Sequence, residues 1–321
     1  MTFSFNKVEI GEISKVDVLL HSPKPIPMKK NFISMLRAQW ALGKFVCVGL
    51  DVDDKKISSF LKDDYPFLPD RLIAFNRGII DKTKDLANSY KLNSAFYEQY
   101  AIPGMIALKR TIEIINEVAP DVPIILDAKR ADIGNTNEAY AASAFDWLGA
   151  DAITVHPYLG SEAMKSFLDR ENKGVIVLCR TSNPGAGEFQ DIHVHDVDGS
   201  SSLYKIVAKI VSLKWNTNGN CLLVVGATYP DELREIREIV GDMPILIPGI
   251  GAQGGDLEKA LAAGFDSKME GVIINSSRGI IFASNGKDFA EAARYETEKL
   301  NQKIIACRDA LYKIKTQKML G

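Results

Sequence analysis

The sequence predicts an α/β protein, a single (β/α)8 TIM barrel behind a short N-terminal extension. Three observations predict it: eight short apolar runs, helical segments between them, and polar residues where the runs end. The runs lie at residues 45–50, 89–93, 122–126, 152–155, 174–178, 221–225, 244–248 and 271–275. Such runs are typical of parallel strands that are buried on both faces and connected by crossover helices.

Helical periodicity fills the intervals between the runs. Apolar residues recur at three- and four-residue spacing in 135–148, 161–170, 230–240 and 256–263, and a longer helical stretch spans 286–315. Gly149, Gly241 and Gly264 follow the last periodic residue of three of these helices, where a C-cap favours a positive φ. Eight units without an internal linker favour a closed barrel over a doubly wound sheet.

Residues 1–30 are predicted to be the extension and residues 31–321 the barrel domain. Among the 321 residues, 46% are hydrophobic and 25% charged, and the net charge of −2 gives no indication of a nucleic-acid or membrane surface. No apolar stretch approaches the roughly 18 to 20 residues that span a bilayer. Acidic residues interrupt the N-terminus, so a secretory signal is not expected.

The four cysteines are widely spaced and form no C-x-x-C motif. They are Cys47, Cys179, Cys221 and Cys307. We predict reduced, mostly buried thiols rather than disulfides or metal ligands, which fits a cytoplasmic protein.

Polar and charged residues gather at the predicted strand ends, where TIM barrels carry function. The strongest cluster, DAKRADIGNT at residues 127–136, follows the third strand. Asp127 and Lys129 are two residues apart and should point to the same face, and Lys91 leaves the neighbouring strand at a similar level. These three groups should share a pocket, which Asp132 joins from its own chain or from a neighbour. Alone, such a cluster fits a structural ion-pair network as well as catalysis.

Residues 127–136 resemble the signature of the orotidine 5'-phosphate decarboxylase family, and five further segments match that family in order. These are CVGLD at 47–51, KLNSAFY at 91–97, TSNP at 181–184, PGIGAQGGD at 248–256 and SSRG at 276–279. The resemblance runs from about residue 30 to the C-terminus and is greatest to the longer-chain branch found in many bacteria and in malaria parasites.

The resemblance implies decarboxylation of orotidine 5'-phosphate to uridine 5'-phosphate, the last step of de novo pyrimidine biosynthesis, without a cofactor or a metal. Lys91, Asp127, Lys129 and Asp132 would form an alternating charge array in which the partner subunit of a homodimer donates the last carboxylate. Asp127 would lie close to the substrate carboxylate. Lys129 would stabilise and then protonate the carbanion at C6.

The resemblance also implies a substrate-binding set. Ser182 would bind the pyrimidine, Asp51 and Asn93 the ribose hydroxyls, and Thr136 would reach across from the neighbouring subunit. A glycine-rich loop after strand 7 and an arginine after strand 8 suit a phosphate. Many relatives have glycine where Ser277 stands, and an amide donor survives that change. The full set is Asp51, Asn93, Ile133, Thr136, Ser182, Pro248, Gln253, Ser277 and Arg278.

Two other functions remain open from the sequence. One is a Mg²⁺-dependent sugar-phosphate decarboxylase or aldolase of the same barrel superfamily, and the other is a catalytically silent nucleotide-binding barrel. The long segment 183–200 suggests a lid over the phosphate. His193 and His195 within it could suggest a metal site, but exposed loop histidines are more often solvated.

Overall fold

The computed structural model describes residues 31–196, 199–250 and 256–320. Its strands are β1 (Val46–Gly49), β2 (Ser89–Asn93), β3 (Ile124–Arg130), β4 (Ala152–Val155), β5 (Gly174–Arg180), β6 (His193–Asp196), β7 (Gly199–Ser202), β8 (Cys221–Val225), β9 (Ile245–Pro248) and β10 (Val272–Ser276). Eight of them close a barrel in the order β1-β10-β9-β8-β5-β4-β3-β2, with parallel pairing throughout. The predicted (β/α)8 barrel is confirmed.

Helices surround this barrel, and several lie close to their predicted positions. They are α1 (Phe32–Ala41), α2 (Ser59–Asp64), α3 (Leu68–Thr83), α4 (Ala95–Glu98), α5 (Ala101–Val118), α6 (Gly134–Ala141), α7 (Gly160–Leu168), α8 (Gly187–Gln190), α9 (Leu203–Ile210), α10 (Pro230–Val240), α11 (Leu257–Gly264), α12 (Arg278–Ile281) and α13 (Phe289–Leu320). Two of them, α6 and α9, continue as π-helical turns at Ala142–Leu148 and Val211–Trp215.

Helix α1 covers the N-terminal end of the barrel. The Trp40 indole donates to the carbonyl of Val272 at 2.9 Å, and the Phe32 amide donates to the carbonyl of Asn172 at 3.1 Å. Both acceptors lie at or just before the start of a barrel strand. With this end covered, the opposite end of the strands remains for a site.

Helix α13 closes the outer ring, as the helical stretch at 286–315 predicted. The Asn301 side chain joins it to the segment before β1, since it donates to the carbonyl of Gly43 at 2.8 Å and accepts from the amide of Phe45 at 3.0 Å. The first and last elements of the barrel are thereby held together.

Two of the three predicted helix-ending glycines have the expected positive φ, and the third does not. The φ angles of Gly149 and Gly241 are 84° and 58°. Gly264 is the last residue of α11 and has no such φ. A Cβ atom at Gly264 would lie 2.9 Å from Ile247 Cδ1 and 3.2 Å from Val272 Cγ1. The C-cap prediction is therefore wrong there, because this glycine serves the close packing of α11 on β9 and β10.

The segment after β5 contains α8 and an antiparallel hairpin of β6 and β7, which the sequence did not predict. His193 and His195 are exposed on this hairpin, as expected for solvated histidines. Residues 197 and 198 of the predicted lid, and the predicted extension 1–30, lie outside the described residues. Closure of the segment stays a prediction.

All four cysteines are free, as predicted: Cys47, Cys179 and Cys221 are buried and Cys307 is half-buried. Burial raises the pKa of the Cys47 and Cys221 thiols to about 12. No helix in the described part of the chain is long and apolar enough to cross a membrane.

Candidate active site

A cavity of about 450 Å³ opens at the C-terminal end of the barrel strands. Most of the residues that line it are polar or charged, and the apolar ones are Leu178, Val224, Leu246 and Pro248. Seven residues of the predicted site line it: Asp51, Lys91, Asn93, Asp127, Lys129, Ser182 and Pro248. The strand ends therefore bring together side chains that lie far apart in the sequence.

Lys91 lies between two carboxylates. Its Nζ atom is 2.9 Å from Asp127 Oδ2 and 3.6 Å from Asp51 Oδ1, and only 5% of its side chain is exposed. A buried ammonium needs such partners, because desolvation of an unpaired charge is costly. Lys91 therefore fixes the positions of the Asp51 carboxylate, which follows β1, and of the Asp127 carboxylate within β3.

Lys129 reaches the same carboxylate from the other side. Its Nζ atom is 2.7 Å from Asp127 Oδ1, and 48% of its side chain is exposed toward the cavity mouth. The expected meeting of the three charged groups is observed, but not through regular strand alternation. The β3–β4 register shifts between Leu126 and Arg130, and Lys129 has a φ of 47°. A bulge thus delivers its ammonium to Asp127.

Thr154, on β4, holds this bulge. It is 1% exposed, its hydroxyl accepts from the Lys129 amide at 3.0 Å, and it donates to Asp127 Oδ1 at 2.8 Å. One hydroxyl therefore fixes both the backbone of the lysine and the carboxylate that its side chain contacts.

The array stabilises its own charges. Burial would raise the pKa of Asp127, but the ammonium groups of Lys91 and Lys129 hold the pKa of this carboxyl well below its usual range. Burial would lower the pKa of Lys91, but the carboxylates of Asp127 and Asp51 outweigh burial and raise its pKa. Both groups are charged at neutral pH, so the cavity presents a fixed alternation of charges.

The groups predicted to hold the ribose are positioned by short backbone contacts. Asp51 Oδ1 accepts from the Asn93 amide at 3.2 Å, and Asn93 Oδ1 accepts from the Ala95 amide at 3.2 Å. Asn93 therefore stabilises the turn that follows β2, and it also lines the cavity.

The turn after β5 is held by α8. Gln190 accepts from the Thr181 amide at 2.9 Å and donates to the Thr181 hydroxyl at 2.8 Å. A Cβ atom at Gly226 would lie 2.8 Å from Ser182 Cβ, so glycine lets this turn lie against the end of β8. The predicted pyrimidine-binding residue thus has a fixed location in the wall of the cavity.

Five predicted residues do not line the cavity: Asp132, Ile133, Thr136, Ser277 and Arg278. Asp132 and Ile133 lie between β3 and α6, and Thr136 lies in the first turn of α6. Buried Asn137 of α6 accepts from the Asp132 amide at 2.9 Å. Asp132 Oδ1 accepts from the Ile133 amide, and within the described residues its carboxylate forms no ion pair with Lys91 or Lys129.

The predicted phosphate side is described only in part. The hydroxyl of Ser277 is buried against Gly49, 3.2 Å from the position of a Cβ there. Arg278 begins α12 and is exposed. Gln253 lies outside the described residues.

Five polar residues that line the cavity stand outside the predicted set: Thr154, Thr181, Asn183, Gln190 and Asn275. Thr154 and Asn275 stand in apolar strand runs, and a polar residue in a buried run is the signal that could have singled them out. Gln190 lies in a long connection, where composition gives no comparable signal.

Residues 44–293 match the family model described as the orotidine 5'-phosphate decarboxylase / HUMPS family. The chain belongs to this family. An orotidine 5'-phosphate decarboxylase from Janthinobacterium sp. (strain Marseille) is 46% identical over 282 residues, which cover 88% of this chain and 98% of the relative.

Solved structures of the family agree with the barrel. The Leishmania donovani OMP decarboxylase superposes with a TM-score of 0.74 at 35% identity, and the match covers 87% of this chain and 98% of that one. Leishmania donovani UMP synthase gives a TM-score of 0.76 at 36% identity, and there the match covers 87% of this chain and 57% of the longer neighbour.

Proposed function

We propose that this chain decarboxylates orotidine 5'-phosphate to uridine 5'-phosphate, without a cofactor. The observation that carries the proposal is the Lys91–Asp127–Lys129 array in a cavity at the strand ends of a family barrel. Relatives at 44% and 46% identity over most of the chain bear the name of this enzyme. The proposed localisation is the cytoplasm.

The chemistry assigned to the array follows from its charges. The C6–carboxylate bond breaks, CO2 leaves, and the electron pair stays on C6. The Lys129 ammonium stabilises this carbanion and then transfers a proton to C6. The neutral amine regains a proton from solvent, which its half-exposed side chain can reach. Asp127, held by Lys91 and Thr154, lies beside the substrate carboxylate.

The size of the charge repulsion between Asp127 and the substrate carboxylate shows whether it can account for the rate. Two like charges about 4 Å apart at an effective dielectric of about 20 repel by roughly 4 kcal/mol. At about 1.36 kcal/mol per decade, this repulsion supplies about three powers of ten. A larger acceleration needs the preorganised cation at Lys129, together with binding energy from the remote phosphate.

We assign the remaining groups to substrate binding. Ser182 would hydrogen-bond the pyrimidine, Asp51 and Asn93 the ribose hydroxyls, and Pro248 would border the ring. Gln253, the Ser277 amide and Arg278 would bind the phosphate. An arginine suits this role because its guanidinium matches phosphate geometry and keeps its charge.

We further propose a homodimer in which Asp132, Ile133 and Thr136 complete the neighbouring subunit's site. Their place outside the cavity lining supports this arrangement, because the isolated chain leaves the array without its fourth member. Ile133 is 60% exposed and Tyr158 is 86% exposed, just before α6 and α7, which pack against each other. Apolar side chains at such positions suit a subunit interface.

The position of Lys91 favours this proposal over the metal-dependent alternative. Its ammonium occupies the space between the Asp51 and Asp127 carboxylates, where a divalent cation would need those oxygens as ligands. The presence of all four array residues in the sequence likewise favours an active enzyme over a silent nucleotide-binding barrel.

The test is turnover of orotidine 5'-phosphate, followed as an ultraviolet absorbance change, with EDTA or with added Mg²⁺. We expect equal turnover under both conditions. Strict dependence on Mg²⁺ would support the sugar-phosphate alternative. Binding of uridine 5'-phosphate without turnover would support a silent barrel.

A further inference from the structure

Asn275 is a buried polar residue that lines the cavity and belongs neither to the charge array nor to the substrate-binding set. It is 9% exposed, and its Oδ1 atom is buried without a hydrogen-bond partner among the described residues. An unpaired buried carbonyl costs free energy, and native structures normally satisfy such an atom. Asn275 lines the same cavity as Lys91 and Asp127, and rotation of its side-chain amide, whose O and N atoms have nearly the same shape, turns Oδ1 toward a bound molecule that supplies the missing donor.

The position of Asn275 in the barrel indicates which part of a ligand it meets. On β10 it lies between Cys47 of β1 and Pro248 of β9 in register. Asp51 follows β1, and Arg278 follows Asn275 by three residues. A nucleotide with its ribose hydroxyls at Asp51 and its phosphate at Arg278 therefore places its sugar next to Asn275.

We infer that Asn275 Oδ1 accepts a hydrogen bond from a ribose hydroxyl of the bound nucleotide. The inference rests on the proposed function, which supplies the orientation of the ligand. A hydroxyl is the donor that fits, because the anionic carboxylate and phosphate of the substrate offer only acceptors. The pyrimidine is assigned to Ser182, which follows β5, three strands from β10 around the barrel.

The experiment measures dissociation constants of uridine 5'-phosphate and of its 2'-deoxy and 3'-deoxy analogues by calorimetry. Asn275→Ala should weaken binding of uridine 5'-phosphate roughly tenfold, the usual loss for one hydrogen bond. The wild type and the variant should bind one of the two deoxy analogues with equal affinity, because that analogue lacks the hydroxyl that donates to Oδ1. Asn275→Leu, which keeps the side-chain volume, should behave as Asn275→Ala does. Asn218→Ala, which removes an exposed amide outside the cavity lining, is the matched control.

Equal losses for all three ligands, or no loss for uridine 5'-phosphate, would overturn the inference. Failure of the proposed decarboxylation is distinguishable, because these measurements need binding and not turnover. A wild-type protein that does not bind uridine 5'-phosphate would overturn both proposals.

A crystal structure of the wild type with uridine 5'-phosphate tests the contact without any variant. Oδ1 should lie within about 3.2 Å of the 2' or the 3' hydroxyl oxygen. A separation beyond about 4 Å from both would contradict the inference.

Discussion

Lys129 combines an unusual backbone with the proposed proton donor. A positive φ is uncommon for a residue with a Cβ, and such conformations persist where neighbouring contacts over-determine them. Here the contacts are the Thr154 hydroxyl on its amide and Asp127 on its ammonium. The conformation places the ammonium at the cavity while the strand continues to Arg130.

Thr154→Val should lower kcat by about tenfold or more, because it removes a hydrogen bond from each of two charged residues. The change keeps the side-chain shape, so KM for orotidine 5'-phosphate should change little. Thr154→Ser, which restores the hydroxyl, should recover most of the rate. Steady-state kinetics on both variants checks this, and equal rates for Val and Ser would show that the hydroxyl does not position the array.

The lowered pKa of Asp127 predicts a dependence of stability on pH. Because the folded pKa lies below the ordinary value of 3.8, the stabilisation is present above about pH 4 and is lost as the pH falls through the folded pKa. Asp127→Asn should therefore cost about 3 kcal/mol of unfolding free energy at pH 6 and less at pH 3. Urea unfolding of both proteins across this range measures the difference, and a difference that grows toward pH 3 would contradict the assigned cause.

At the scale of elements, α1 packs against the N-terminal end of the barrel. Gly174, the first residue of β5, allows this packing, since a Cβ there would lie 2.3 Å from Phe32 Cδ1 and 2.8 Å from Ala152 Cβ. The helix and two adjacent strands therefore meet at a point where no side chain fits.

Gly174→Ala should destabilise the protein by about 1–3 kcal/mol, the usual cost of overpacking a core. Gly185→Ala is the matched control, because the nearest atom there is the flexible end of Glu188 at 3.4 Å. Urea unfolding of both variants checks the prediction. A control as destabilised as Gly174→Ala would show that the packing of α1 is not the cause.

Strand positions could be predicted from the sequence because doubly buried strands need continuous apolar runs. The bulge after Leu126 could not be predicted, since it depends on Thr154, which reaches β3 from a strand 25 residues later in the chain. Gly264 shows the same limit: its sequence position suits a C-cap, while its neighbours in space are Ile247 and Val272. Contacts between residues that are distant in the sequence decide these details.

For the whole molecule, the proposed dimer divides the motif at residues 127–136 between two sites. Asp127 and Lys129 face the cavity of their own chain, whereas Asp132 and Thr136 do not line it. The array is then complete only where two subunits meet.

Mixing two variants tests this division. Lys129→Ala and Asp132→Asn should each have little activity alone. After dissociation and random reassociation, half of the dimers are hybrids with one intact site each, so about a quarter of the wild-type sites should return. Turnover after mixing measures this, and no recovery despite confirmed hybrid dimers would place Asp132 in its own subunit's site.

The most direct test of the account is the rate of Lys129→Ala on orotidine 5'-phosphate in the presence of EDTA. Lys165→Ala, which removes a lysine whose side chain is 70% exposed on α7, is the control and should keep wild-type turnover. We predict that Lys129→Ala loses at least about 10⁴-fold in kcat, because it removes both the stabilising cation and the proton donor. Retention of more than about one per cent of wild-type kcat would contradict the role of Lys129, since a general acid alone contributes about 10²-fold or more.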